Sequence, residues 1–215
     1  QDMPSTAFNM TAFGKQLQEG VKPEEMDWNQ ISPAKDPDGF RKELDSLIFS
    51  LRPFPCIVVW VPFNEAWGQH QTDTTLSHVM ELDPTRLVDG PSGWTDTGTG
   101  HIRDHHLYEH PEEFPGNEQG RATVYGEFGG ISLHVAGHTL LEKGWGYTKA
   151  ETDNDLFDSY SAVMNVIAQL VPKGLAGAIY TQTTDVESEI NGLLTYDRTY
   201  KVDPERIQLI NKTIV

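Results

Sequence analysis

Five consecutive apolar residues, Ile57-Val58-Val59-Trp60-Val61, limit the fold of this chain more than any other stretch. β-Branched side chains favour extended backbone, and the run is too short to fill a helix. It predicts a strand covered on both faces, the pattern of a parallel sheet. The surrounding run, Cys56 to Pro62, is the longest apolar one and falls far short of the roughly 18 residues of a membrane span. Cys56 sits in it and is expected to be a small buried hydrophobe. A single cysteine excludes an internal disulfide and any multi-cysteine metal site.

What flanks the run repeats the theme. Asp36 and Asp38 open a helix in which Phe40, Leu44, Leu47, Ile48 and Leu51 form one apolar stripe, and Pro53 and Pro55 stop it. A helix over about 72–81 turns Leu76, Val79 and Met80 inward, and a second short strand covers 86–89. Further strands are predicted at 102–107, 121–126 and 175–180. A helix over about 155–171 separates the last two, with Leu156, Tyr160, Val163, Ile167 and Leu170 on one face. A final helix starts near Asp203, capped ahead of Pro204. Residues 1–35 are turn-rich and predict a long loop with one short helix. Strands alternating with amphipathic helices imply βαβ units and an α/β fold. No Gly-rich phosphate loop follows any strand, so a (β/α)8 barrel fits better than a doubly wound sheet. Five strands make it an incomplete one, since closure takes eight strands and roughly 250 residues.

Chemistry concentrates where strands end. Val61-Pro62-Phe63-Asn64-Glu65-Ala66-Trp67 puts a carboxylate at the end of the buried strand. Phe63 and Trp67 would disfavour its charged form, as a general acid requires, and Asn64 could bind a sugar hydroxyl. Thr123-Val124-Tyr125-Gly126-Glu127-Phe128-Gly129-Gly130 ends a second strand in a glutamate, with Tyr125 a plausible neighbour and glycines that let a ligand approach. Each glutamate alone could be an ordinary loop residue. Paired at the ends of different strands, they are the machinery of glycoside hydrolysis. Trp67, Trp94, Tyr108, Trp145 and Tyr147 fall in loops or at strand ends, where they could be sugar platforms or simply packing.

The motif Trp60-Val61-Pro62-Phe63-Asn64-Glu65-Ala66-Trp67-Gly68-Gln69 resembles the acid/base segment of glycoside hydrolase family 2, and Gly126-Glu127-Phe128-Gly129 resembles its nucleophile segment. Asp104-His105-His106-Leu107-Tyr108 looks like that family's sixth strand. Tyr180 to Glu187, Asn191-Gly192-Leu193 and Tyr196-Asp197-Arg198 look like the eighth strand and the loop after it, in a bacterial β-galactosidase-like subgroup. Gln1-Asp2-Met3-Pro4-Ser5 is similar to the close of the third. The resemblance implies the C-terminal portion of a catalytic barrel over residues 1–215, with the fourth to eighth strands present and the first three absent. It implies a retaining hydrolase of a terminal β-linked galactoside, glucuronide or mannoside. Glu65 is then the acid/base and Glu127 the nucleophile. Asn64, Trp67, His106, Tyr108, Trp145 and Gln182 become substrate-binding candidates, and no cofactor or metal is required. The eighth strand departs from the family in carrying Tyr-Thr-Gln-Thr-Thr-Asp where many relatives are Trp-rich.

Other classes fit less well. The chain carries 32 acidic and 16 basic residues, a net charge of −16, which disfavours nucleic acid and anionic membranes. His101, His105, His106 and His110 span a predicted strand, and Gly130 and Gly137 weaken any helix that would align His134 with His138, so the pattern argues against a metallohydrolase. A barrel that binds glycan without cleaving it would not need both carboxylates at its strand ends. No Gly-x-Ser-x-Gly elbow marks a serine hydrolase. Asp153-Asn154-Asp155 reads as a helix start rather than a calcium loop, and the Asn9 and Asn211 glycosylation patterns as chance. The opening residues read as a cut into a longer protein with further N-terminal domains. No targeting address is legible; family likeness alone would favour an extracytoplasmic place.

Overall fold

The computed structural model describes residues 1–4, 8–22, 25–109, 111–117 and 120–214. They divide into two compact units, Gln1–His105 with Glu118–Ala122 and His106–Asn117 with Thr123–Val215. Ser5 and His110 lie outside the described residues. No helix among those described is long and apolar enough to cross a membrane.

In the first unit, α1 (Met10–Gln18) and α2 (Trp28–Ile31) replace the expected single helix. The Asn9 side chain caps α1 by accepting from Ala12 N–H at 3.2 Å, so the first glycosylation match serves as a helix cap. Helix α3 (Pro37–Leu51) begins as the sequence indicates: Asp36 accepts from Gly39 N–H and Pro37 occupies the first turn. Leu44 and Ile48 on its stripe are fully buried, worth about 1.5–3 kcal/mol each. They share a core with Trp60, Val88 and the Leu76 and Val79 of α4 (Thr72–Leu82). β1 (Val59–Trp60) pairs in parallel with β2 (Leu87–Val88), Val59 opposite Leu87 and Trp60 opposite Val88. Asp2 bridges Val61 and Asp89 bridges Ile102, both in parallel, so the row extends on either side.

Two expectations fail at the head of this row. Cys56 is exposed, and Val58 is 64% exposed, so the buried strand begins only at Val59. The turn that ends α3 consumes the earlier residues: Ile57 N–H bonds to the Phe54 carbonyl at 3.2 Å. Arg86 then takes the carbonyls of Ile57 (3.2 Å) and Arg52 (2.7 Å), which satisfies this backbone without a sheet.

The second unit holds the end of β3 (Ile102–Leu107), then β4 (Ala122–Gly129) and β7 (Gly177–Thr181), in the order β3-β4-β7. Between them β5 (Ile131–Ser132) and β6 (Thr148–Lys149), which periodicity does not predict, make a small parallel pair. Helix α5 (Asp153–Leu170) opens with a reciprocal cap between Thr152 and Asp155, confirming that the acidic run is a helix start. It buries Leu156, Tyr160, Met164, Ile167 and Leu170, while Val163 is only partly covered. Helix α6 (Pro204–Asn211) follows Asp203 as expected, and its Asn211 accepts from the Tyr160 hydroxyl at 2.7 Å. The fold is thus mixed α/β with parallel strands. Among the described residues of either unit the strands do not close into a barrel.

Candidate active site

Glu65 stands on a backbone turn that few residues adopt. Its φ is 50° and that of Ala66 is 62°, two successive non-glycine residues in the left-handed region. Such conformations persist only where surrounding bonds over-determine them. Here Glu65 N–H donates to the Ser92 carbonyl at 3.0 Å, Trp67 N–H to Asn64 at 2.9 Å, and Gly68 N–H to Ser32 at 2.9 Å. Ala66 is fully buried, so a methyl locked in the core fixes the turn from beneath. The Ser92 hydroxyl donates to the Asn64 side-chain oxygen at 2.9 Å and orients that amide. Ser92 is a positioning residue that sequence reasoning does not find; its only signal is its place just past β2, level with Asn64.

The two aromatic side chains of the motif go into packing. Phe63 is buried and stacks on Phe40 at 5.2 Å. Trp67 lies 4.8 Å from Phe8 and joins the small core of Met26, Trp28 and Ile31, to which Trp94 also contributes.

Glu127, in the second unit, is aimed by a break in strand register. Tyr125 pairs with Ala178 but Phe128 with Tyr180, so β4 carries one residue more than β7 across Gly126-Glu127. The alternation of buried and half-buried positions breaks at the same place. A β-bulge of this kind re-aims a side chain and is common beside active sites. The Tyr108 hydroxyl donates to Glu127 Oε2 at 2.5 Å, and the Thr181 hydroxyl lies 3.5 Å from the same oxygen. His106, almost fully buried, brings Nδ1 within 3.8 Å of Oε1. The two hydroxyls on Oε2 and the imidazole beside Oε1 hold the carboxylate in one orientation, as a nucleophile needs.

Tyr125, the neighbour the sequence suggests, points elsewhere. Its hydroxyl donates to the Pro111 carbonyl at 3.0 Å, and burial, with Glu112 and Glu113 nearby, pushes its pKa up to about 12. Tyr108 takes the place expected of it. Thr181 is a second contact that the sequence does not single out.

Of the remaining candidates of this unit, Trp145 reaches that carboxylate through a chain of ring contacts, and Gln182 bonds elsewhere. Tyr108 stacks on Tyr147 with ring centroids 3.4 Å apart, and Trp145 meets Tyr147 edge-on at 5.5 Å. Gly130 makes the stack possible: its φ is +64°, and a Cβ there would come within 2.4 Å of the Tyr147 ring. Gln182 follows Thr181 at the end of β7 and donates to Asn191 Oδ1 at 2.8 Å, while Asn191 donates to Glu189 at 2.9 Å. The loop carrying these residues is anchored by a buried ion pair, Lys201 to Asp185 at 2.7 Å. Burial pushes the Asp185 carboxyl up and the Lys201 amine down, while their mutual hydrogen bond opposes both shifts.

His78, His101 and His138 are engaged away from Glu127. His101 accepts from Val88 N–H at 3.0 Å, and His78 meets Asp45 at 2.6 Å. His134 and His138 lie on no helix, and His138 pairs with Asp197 at 2.8 Å.

No family model and no curated protein matches the sequence. Solved structures match the fold. A β-glucuronidase of Faecalibacterium prausnitzii aligns over 82% of this chain with a TM-score of 0.50 and 16% identity. A protein described as a β-galactosidase, from Bacteroides fragilis, aligns over 81% with a TM-score of 0.52 and 15% identity. A Parabacteroides merdae β-glucuronidase aligns over 86% with a TM-score of 0.55 and 12% identity. The chain spans 34%, 31% and 28% of those proteins. At such identities the likeness is one of fold.

Proposed function

We propose that this chain carries the catalytic carboxylates of a retaining β-glycoside hydrolase related to glycoside hydrolase family 2. The observation that carries the proposal is the bulge at Gly126-Glu127, with Tyr108 and Thr181 turned onto the carboxylate it presents. The left-handed turn that fixes Glu65 at a strand end is its counterpart. The fold likeness to β-glycosidases supports the reading at the level of reaction class.

In this reading Glu127 attacks the anomeric carbon of a terminal β-linked galactoside, glucuronide or mannoside. The glycosidic C–O bond breaks as Glu65 delivers its proton to the departing oxygen, leaving the sugar esterified to Glu127. Glu65, now ionised, takes a proton from water. The resulting hydroxide attacks the same carbon, and the Glu127 carboxylate departs. Two inversions give net retention, and no cofactor takes part. Asn64, oriented by Ser92, binds the 2-hydroxyl; His106 and Tyr108 orient the nucleophile; Gln182 lines the pocket.

Proton NMR of the first product formed from p-nitrophenyl β-galactoside, β-glucuronide and β-mannoside tests this. The β-anomer should appear before mutarotation. An α-anomer first, or no hydrolysis of any of the three by the intact protein, overturns the proposal. Retention also requires the two carboxyl groups to stand about 5–5.5 Å apart in the working enzyme, against roughly 6.5–9.5 Å for inversion.

A further inference from the structure

Trp145 is the one aromatic of the second unit's site that its own fold leaves half open, 48% exposed. It is nevertheless not on a loose loop. Its N–H donates to the Ser188 carbonyl at 2.9 Å, and its carbonyl accepts from Ile190 N–H at 2.9 Å. Two residues on, Tyr147 N–H bonds to the Gly130 carbonyl at 3.0 Å, and β6 follows at once. The indole is therefore a pre-placed surface, held at little cost in ordering when something lands on it.

Its surroundings show what would land. Trp145 walls a groove of about 400 Å³ together with Ser132, His134, Glu142, Lys143 and Lys149. Lys149 is paired with Glu151 at 2.7 Å, and Glu142 stands beside Lys143 in sequence, so the rim carries both signs and both donors and acceptors. Gly144 and Gly146 flank Trp145, where a Cβ would meet Ile190 and Ser132 respectively, so the turn that carries the indole is packed close against the groove wall. A flat apolar face bordered by mixed hydrogen-bonding groups of no net sign suits a neutral sugar ring, apolar on one face and hydroxylated at the edge. A lone anion or an apolar peptide segment would use only half of it. The groove also connects to the nucleophile through the Trp145–Tyr147–Tyr108 contacts that end on Glu127.

We infer that this groove is a subsite for a further residue of a neutral glycan, so that the ligand is an oligosaccharide rather than a sugar on a small aglycone. The inference rests on the glycosidase reading for its link to catalysis, but the sugar site stands on its own geometry.

The test is calorimetric binding to the Glu127→Gln protein, which holds ligand without turnover, using β-1,4-galactotetraose and β-1,4-mannotetraose against galactose and mannose. At least one tetrasaccharide should bind about tenfold or more tighter than its monosaccharide, and Trp145→Ala should remove that gain while Trp145→Phe keeps part of it. Tetrasaccharides that bind no tighter than the monosaccharides, or a gain indifferent to Trp145→Ala, overturn the inference. Circular dichroism of each variant shows that the protein is folded. Failure here with β-glycosidase activity intact would leave the catalytic reading standing. Trp145-dependent glycan binding in a protein that hydrolyses no aryl glycoside would do the reverse.

Discussion

The two units solve the same problem, holding a glutamate near the end of a parallel strand, by different means. In the first, backbone does the positioning: Glu65 and Ala66 sit in left-handed conformations fixed by bonds to Ser92 and Ser32 and by a buried alanine methyl. In the second, the strand itself is bent by one extra residue and side chains converge on Glu127. The difference suits different duties. A nucleophile must remain ionised and aimed, so it profits from hydroxyl donors. An acid/base must give up and regain a proton, so it profits from a backbone that fixes its place.

Replacing the carboxylates tests this division most severely. Glu127→Gln should cost on the order of 10^4-fold or more in kcat on every substrate, since no other group can form the ester. Glu65→Gln should cost about 10^2–10^4-fold on substrates with poor leaving groups and far less on dinitrophenyl glycosides, which need no proton. Steady-state rates on a graded series of aryl glycosides separate the two. Equal sensitivity to leaving group in both variants would abolish the distinction.

A smaller effect separates a glycine that builds the site from one that does not. Gly130→Ala places a methyl into the Tyr147 ring at a φ of +64°, and should destabilise the protein by about 1–3 kcal/mol while disturbing the Tyr108 contact to Glu127. Gly14→Ala, inside α1 with open space around it, should stabilise by roughly 0.5–1 kcal/mol. Urea unfolding of the two variants gives both signs.

The smallest expected effect is a difference in acid response. In the first unit, burial pushes Asp83 up, but donors from Thr85 and Trp60 outweigh it and hold the carboxyl below its ordinary value. For Asp96, burial likewise opposes, and Arg121 prevails. The unfolded chain then binds protons more readily than the fold, so this stability is complete above the ordinary carboxylate value and lost as pH falls through the lowered ones. The buried Asp185 of the second unit is raised, the opposite sign, so its contribution is present in acid and declines as pH rises, while Asp197 of that unit, lowered by Thr195 and His138, is exposed and weighs little. Lowering the pH from 5 to 3 should therefore loosen the Trp60 environment before the amides of α5 lose protection from hydrogen exchange. The reverse order would refute this reading of the two sets of carboxyls.

What the sequence discloses follows from what periodicity can encode. Helices α3, α4 and α5 are legible because each combines a cap or an acidic start with a stripe at helical spacing. The strands before and after them are legible because β-branched runs are short and bounded. The pair β5 and β6 is not, because two residues carry no period. Nor does composition reveal that Cys56 and Val58 face solvent, since Arg86, distant in sequence, decides where the backbone carbonyls of that segment go. At the site, both glutamates and Tyr108 can be named from motifs. Ser92, Thr181 and the bulge cannot, because they depend on which residues of one strand end level with those of the next.

The central claim is that Glu127 forms the covalent intermediate. Incubation of the intact protein with a 2,4-dinitrophenyl 2-deoxy-2-fluoro-β-glycoside, followed by trypsin and tandem mass spectrometry, tests it directly. The account predicts a fluorosugar adduct in the peptide Ala122–Lys143, located by fragmentation on Glu127 and not on Glu142. An adduct on Glu65, or on any other residue, would contradict it.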